Sequence, residues 1–193
     1  MAFLTNFLLI FVSLLNLSIG LLVFLKKKTH LAFVLFLMCS GFSLWVFLFF
    51  CAYTPFIFEP YLDIIAKSML AVSLVYANAF YYFSALFPNS NSQRVSKLNV
   101  FIFVSLFVMV FNKWTISNVH LLNEKLVFDT GPGYALFSLY VIALGLAGLY
   151  YLIRKYLKFE INVKSQLKII FLGMAFFILS ASLANVALPI LGQ

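Results

Sequence analysis

Residues 3–28 read FLTNFLLIFVSLLNLSIGLLVFLKKK, an apolar run that ends abruptly in three lysines, Lys26 to Lys28. A transmembrane helix needs about 20 mostly apolar residues, and this run is long enough. No basic residue precedes it, whereas a cleavable signal peptide starts with a positive region and has a shorter apolar core. The stretch therefore predicts a retained span with its N-terminus outside the cell.

Five further apolar runs follow, at 31–53, 62–87, 99–111, 134–153 and 167–191. The run 99–111 is the shortest, and we expect it to extend back into Leu98 and forward through Trp114 to reach spanning length. The 193 residues are 65% apolar and only 9% charged, against about 25% charged residues in soluble domains. This pattern predicts an all-α fold, a polytopic membrane helix bundle with six transmembrane helices in a single domain, residues 1–193.

The basic residues lie mainly in every second gap between the runs. The gaps after the first, third and fifth runs carry most of the lysines and arginines, and cytoplasmic loops of membrane proteins are enriched in these residues. The net charge of +8 is therefore better explained by loop bias than by nucleic-acid binding. We expect a multi-pass protein of the cell membrane with its N-terminus outside, and six spans then place the C-terminus outside as well.

A longer polar segment, 112–133, separates the fourth run from the fifth. Residues 115–121 and 126–128 flank the turn-like Asn123-Glu124, and such a pattern favours a short extracytoplasmic hairpin. Gly131-Pro132-Gly133 then breaks the chain before the next helix.

The third run is the most polar span. Helical spacings of three or four residues place one set of side chains on one face, namely Asp63, Lys67, Leu70, Leu74, Asn78 and Tyr81. Polar groups in hydrocarbon are costly and usually turn inward, so this face is a candidate wall of a ligand cavity, with Asn78, Tyr81 and Tyr82 as hydrogen-bonding groups. The alternative is helix packing, with an Asp63–Lys67 ion pair near the outer interface.

Two other spans carry a buried amide and small residues. Ser13, Asn16 and Gly20 form one stripe, and Asn185 lies in the last run beside the small residues Ser180 and Ala184. Small residues let helices approach closely, so these stripes are mainly expected to serve packing. Asn16 and Asn185 are the exceptions, because a buried amide needs partners and can mark the core of the bundle.

The sequence contains no set of residues typical of catalysis. His30 and His120 have no partner at metal-ligand spacing, and neither a glycine-rich phosphate loop nor a nucleophile elbow is present. Cys39 and Cys51 fall too far apart on one helix to form a disulfide. We therefore expect no enzymatic activity, no cofactor and no metal. Asp63, at the edge of the third run, is the only carboxylate within the apolar runs, which argues against a proton-driven pump, because such a pump needs a buried titratable relay.

Several motifs at helix edges resemble a known family. They are Asn16-x3-Gly20-x2-Val23-Phe24-Leu25, Ser84-Ala85-Leu86-Phe87-Pro88, Gly131-Pro132-Gly133-Tyr134, the exit sequence 150–156, Gln166-Leu167-Lys168 and Leu188-Pro189. Together they resemble the N-terminal seven-helix transmembrane region of bacterial sensor histidine kinases. That resemblance implies a membrane input module that receives a signal and passes it to cytoplasmic domains.

Two elements of that family have no counterpart in the chain, the seventh helix and every kinase motif. We therefore expect either a C-terminally incomplete polypeptide or a stand-alone relative. The expected partners are the lipid bilayer, a small apolar or lipid-like ligand and a second copy of the chain, with no nucleic acid. The runner-up hypothesis is a small multipass transporter or channel subunit, and a structural partner of another membrane complex is the third.

Overall fold

The computed structural model describes residues 2–52, 61–88, 97–122 and 125–158, together with residues 161, 164, 165, 167, 168 and 171. This part of the chain is mostly helical. Its elements are α1 (Ala2–Lys27), α2 (His30–Ala52), α3 (Leu62–Leu86), α4 (Lys97–Val110), β1 (Ile116–Leu122), β2 (Lys125–Thr130) and α5 (Pro132–Lys158). Residues 1–149 and 150–193 form two compact units, and in the second unit the rings of Tyr156 and Phe171 meet edge to face.

Four of the described helices, α1, α2, α3 and α5, are long and apolar enough to cross a membrane. They coincide with the first, second, third and fifth apolar runs, which confirms the prediction of a mostly helical chain with several candidate membrane spans. Nearly all of the sixth run, including Asn185, lies outside the described residues.

The fourth helix is shorter than predicted. It has 14 residues, which is about 21 Å of helix against a hydrocarbon core of about 30 Å. The expected extension through Trp114 is wrong, because the chain turns at 112–115, where the amide of Thr115 donates to the carbonyl of Asn112 (3.2 Å). Trp114 itself is 67% exposed beside that turn.

Helices α1 and α2 are held together by two serines and a glycine. The hydroxyl groups of Ser13 and Ser43 lie 2.9 Å apart, and Ser13 also donates to the carbonyl oxygen of Ser43 (3.0 Å). Two turns further along the same face of α1, Gly20 lies very close to α2. A methyl group added there would be 2.6 Å from the Cβ atom of Cys39. Between the two helices, Thr29 caps α2, because its hydroxyl oxygen accepts from the amide of Ala32 (3.2 Å).

Helix α3 is the central element of the first unit. On one side its Tyr76 packs against Gly41 and Phe42 of α2. On another side a buried cluster joins it to α4 and α5 through Ala71, Leu74, Leu106, Val110 and Phe137. Because α3 contacts all three of these helices, a larger fraction of its residues is buried than in any of the other described candidate spans.

A two-stranded antiparallel hairpin connects α4 to α5. Ile116 pairs with Thr130 and Leu122 with Lys125, and a bulge follows Ser117. Asn118 at this bulge has a left-handed backbone (φ 50°), which asparagine tolerates, and its side chain donates to Asp129 (2.7 Å). The strands cover the two segments that flank Asn123-Glu124, and the hairpin rests on α3 through β1, whose Ile116 is fully buried.

The close approach at Gly20 can be tested with a matched pair of glycine substitutions. We expect Gly20→Ala to lower the free energy of unfolding by about 1–3 kcal/mol, because the added methyl group must push Cys39 away. Gly145→Ala is the control, since nothing lies within 4 Å of its added methyl group and alanine is the better helix former. Thermal unfolding in detergent measures both variants, and equal losses of stability would contradict the packing described for α1 and α2.

Candidate ligand site

Four polar side chains from three helices meet in the first unit. Asn78 and Tyr82 lie in the second half of α3, one turn apart, Asn99 lies in the first turn of α4, and Tyr140 lies in the third turn of α5. We call these four residues the amide–tyrosine cluster.

The cluster is a continuous hydrogen-bond network. The side-chain amide of Asn99 donates to the carbonyl oxygen of Asn78 (3.1 Å) and to the hydroxyl oxygen of Tyr82 (3.0 Å). The hydroxyl of Tyr140 lies within hydrogen-bond distance of both amide oxygens, at 3.1 Å from Asn78 Oδ1 and 2.9 Å from Asn99 Oδ1. The amide of Asn78 also donates to the carbonyl oxygen of Leu74 (2.9 Å), one turn back in its own helix.

The network leaves some hydrogen-bonding capacity unused. Tyr140 has a single hydroxyl proton, so it can satisfy only one of the two amide oxygens at a time. Within the described residues, the hydroxyl proton of Tyr82 and the second amide proton of Asn78 have no acceptor. In a membrane interior such groups are costly unless a partner arrives, so the cluster is suited to hydrogen-bonding a ligand.

A cavity of about 240 Å³ adjoins the cluster. Its walls come from three helices: Val34 and Leu37 of α2, Val75, Asn78, Ala79 and Tyr82 of α3, and Asn99, Val100 and Phe103 of α4. Most of these described side chains are apolar, and the surface of the cavity is almost entirely apolar, so the polar atoms of Asn78, Tyr82 and Asn99 are turned toward one another rather than into it. An apolar chamber of this kind is suited to an apolar ligand.

The other polar residues predicted on α3 do not belong to this site. Lys67 donates to Asp63 at 2.7 Å, which is the i, i+4 ion pair that the spacing predicts. These two residues lie near the opposite end of α3, with Asp63 about 22 Å and Lys67 about 16 Å from Asn78 along the helix. The Lys67 side chain is 10% exposed and that of Asp63 is 55% exposed, so the pair keeps a buried ammonium group in contact with a solvated carboxylate.

Asn16 and Tyr81 lie outside the cluster as well. Asn16 donates to the carbonyl oxygen of Val12 in its own helix (2.9 Å), while its neighbours Ser13 and Gly20 make the contacts with α2. The ring of Tyr81 meets the ring of Tyr82 edge to face, with 5.3 Å between centroids. Of the site residues predicted from the sequence, the structure thus brings together Asn78 and Tyr82, and separates them from Asn16, Asp63 and Lys67.

Two members of the cluster were not predicted from the sequence. Asn99 stands at the boundary of the fourth run, where a polar residue is ordinary, and Tyr140 is one of ten tyrosines. A usable signal existed for Tyr140, because its hydroxyl lies near the middle of an apolar span and needs a partner there. Nothing in the sequence indicates that Tyr140 contacts Asn99, because this contact depends on how α4 and α5 pack against α3.

Metal binding finds no support in the described ranges, where no group of three or more histidine, cysteine, aspartate or glutamate side chains could hold an ion.

Removing the shared proton of Tyr140 tests the network. We expect Tyr140→Phe to lower the free energy of unfolding by about 0.6–1.7 kcal/mol, the range for hydrogen bonds between transmembrane helices. The Asn78 oxygen keeps the bond from Asn99, whereas the Asn99 oxygen loses the Tyr140 donor. Tyr150→Phe, on the same helix with an exposed side chain, is the matched control and should leave stability unchanged. Denaturant titration in bicelles compares the two, and an unaltered Tyr140→Phe protein would refute the network.

Comparison with protein-family models, with curated proteins and with solved structures finds no match for this chain.

Proposed function

We propose that this protein is a membrane-embedded input module of a signal-transduction protein, of the histidine-kinase type. In this proposal a signal molecule enters the cavity beside the amide–tyrosine cluster, and its binding changes how α3, α4 and α5 pack. The observation that carries the proposal is the incompletely satisfied network that joins these three helices, with the cavity adjoining its α3 and α4 members.

A ligand can shift the bundle only if it binds two arrangements with different affinity. The cluster offers a physical basis for such a difference. The Tyr140 proton can pair with Asn78 or with Asn99, and a ligand oxygen that engages Tyr82 or Asn78 changes which pairing is favoured. Because the two amides lie on different helices, each pairing favours its own position of α5 relative to α3 and α4.

The form of the described helices also supports an input module rather than the alternative, a transporter or channel subunit. Secondary transporters commonly place their site at discontinuous helices near the middle of the membrane. Helices α1, α2, α3 and α5 each run unbroken over their described lengths. An ion path or a proton relay would require a charged or titratable side chain, and the described residues that line the cavity include none with a charge.

The proposal includes a topology for the whole chain in the bacterial cell membrane. It has six crossings in residues 1–193, with the N-terminus and the hairpin outside and the basic gaps inside. Lysines at the ends of α1 and α5 support this orientation through the positive-inside rule. The short helix α4 crosses together with the turn that follows it, and exposed Trp114 marks the outer interface.

Cysteine accessibility tests this topology. In a chain whose Cys39 and Cys51 are replaced by alanine, we expect Asn118→Cys on the hairpin to react with a membrane-impermeant maleimide in intact cells. The matched variant Lys158→Cys, at the other end of α5, should react only after the membrane is permeabilised. The reverse pattern would show that the positive-inside assignment is wrong for this chain.

The length of the native polypeptide tests the function. We expect the reading frame to continue beyond codon 193 through a seventh helix into a cytoplasmic signalling domain, because an input module needs an output on the inner side. Sequencing downstream of codon 193, with mass spectrometry of the membrane-extracted product, gives the answer. A native product that stops at Gln193 contradicts the proposed function.

A further inference from the structure

We propose that the basic end of α5 binds the phosphate groups of anionic phospholipids in the surrounding leaflet. The site consists of three exposed basic side chains, Arg154, Lys158 and Lys168, which we call the basic patch, and of the neighbouring apolar side chains of Leu157 and Ile161. It shares no residue with the amide–tyrosine cluster, and it does not depend on the signalling role.

The segment from residue 154 to residue 168 is strongly basic. It contains five basic residues and a single acidic one, Glu160. Within the described part of the chain, no carboxylate forms an ion pair with Arg154, Lys158 or Lys168. Clusters of basic residues at the end of a transmembrane helix are attracted to anionic lipid headgroups, so the charge of the patch is complementary to a phosphate-bearing surface.

A contact between two aromatic rings gathers this charge. Tyr156 of α5 and Phe171 meet edge to face, with 6.1 Å between the ring centroids. A straight helix over the same stretch would separate them by about 22 Å, so the contact brings two distant parts of the segment together. Lys158 lies two residues from Tyr156, and Lys168 lies three residues from Phe171, which is at most about 5 Å along a helix. The two lysines therefore flank one contact, where both can reach the same headgroup.

The length of α5 places the basic patch at the level of the headgroups. The helix has 27 residues, which is about 40 Å, against a hydrocarbon core of about 30 Å. Its end therefore extends beyond the core into the layer that contains the lipid phosphates, and Lys158 is its last residue.

Two apolar side chains beside the patch favour a membrane over a soluble polyanion. Leu157 is 73% exposed and Ile161 is 80% exposed, the highest values among the described large apolar side chains. Such exposure is costly in water, whereas at the boundary of headgroups and acyl chains both side chains gain apolar contact. Segments that combine exposed apolar residues with lysines bind anionic membranes in this way. A nucleic acid would use the charges and leave Leu157 and Ile161 in water.

Tryptophan quenching by brominated lipids tests the proposal on the full chain in nanodiscs. The two native tryptophans, Trp45 and Trp114, are replaced by phenylalanine, and Leu157→Trp supplies a reporter beside the patch. The bilayer mixes phosphatidylglycerol with phosphatidylcholine, and one of the two is brominated in each sample. We expect phosphatidylglycerol to associate with the reporter about fivefold more strongly, the factor that one basic residue near an anionic surface supplies. Equal association of the two lipids would refute the site.

Two double variants separate the basic patch from the net charge of the protein. Lys158→Gln with Lys168→Gln should remove most of the preference for phosphatidylglycerol. Lys26→Gln with Lys27→Gln removes the same charge from exposed lysines at the end of α1 and should leave the preference unchanged. Arginine at positions 158 and 168 should preserve it, because the charge remains. Equal losses in the two glutamine variants would show an effect of net charge alone and overturn the proposal.

Soluble anions distinguish a lipid from other sources of negative charge. At fixed ionic strength, neither inorganic phosphate nor polyglutamate should displace brominated phosphatidylglycerol from the reporter, because neither fills the apolar contacts of Leu157 and Ile161. Complete displacement by polyglutamate would assign the patch to an acidic protein segment and contradict the lipid site.

The outcome is separable from the test of function. A preference for phosphatidylglycerol in a polypeptide that ends at Gln193 keeps the lipid site and removes the signalling role. A longer polypeptide with an output domain but without this preference keeps the signalling role and removes the lipid site. Both leaflets of the nanodisc have the same composition, so the result does not depend on the topology.

Discussion

The packing of α3, α4 and α5 depends on one constraint, that an amide inside the membrane must find its hydrogen bonds within the protein. Asn78 is 91% buried on α3, and water is not available to it in hydrocarbon. Its oxygen accepts from Asn99 of α4 and lies 3.1 Å from the hydroxyl of Tyr140 of α5. Van der Waals packing and hydrogen bonds between helices both hold a bundle together in lipid, and the hydrogen bonds are directional, so they help to fix which faces meet.

The same constraint explains why a cavity can persist beside the cluster. Helix α3 is held to α2 by the contact of Gly41 with Tyr76 and to α4 by the Asn78–Asn99 bond, and the space between these two attachments is the cavity. Small residues bring α1 and α2 close at Gly20, and Gly148 does the same where α5 meets Phe80. The polar contacts thus fix the register of neighbouring helices, and the glycine contacts fix the distance between their axes.

The sequence predicted a helical protein with membrane-spanning helices, and four of those helices are found as candidate spans. It also predicted the ion pair of Asp63 with Lys67. Both predictions succeed because the length of an apolar run, its hydropathy and i, i+4 spacing are local properties of the chain. It also marked Asn78 and Tyr82 as inward-facing. It did not predict that α4 would stop at Val110, since the turn at 112–115 depends on Thr115, whose hydroxyl donates to Met109. Nor did it find Asn99 and Tyr140 as partners, because contacts between residues 41 positions apart follow from tertiary packing.

In the proposed function, the two pairings of the Tyr140 proton give α5 two positions relative to α3 and α4. The direct measurement is the distance between spin labels at Leu146 of α5 and Phe101 of α4, both exposed, in nanodiscs and with the native cysteines replaced. We predict two distance populations whose ratio changes about fivefold in Tyr140→Phe, the effect of one hydrogen bond. A single distance that is the same with and without the Tyr140 hydroxyl would contradict a two-state site.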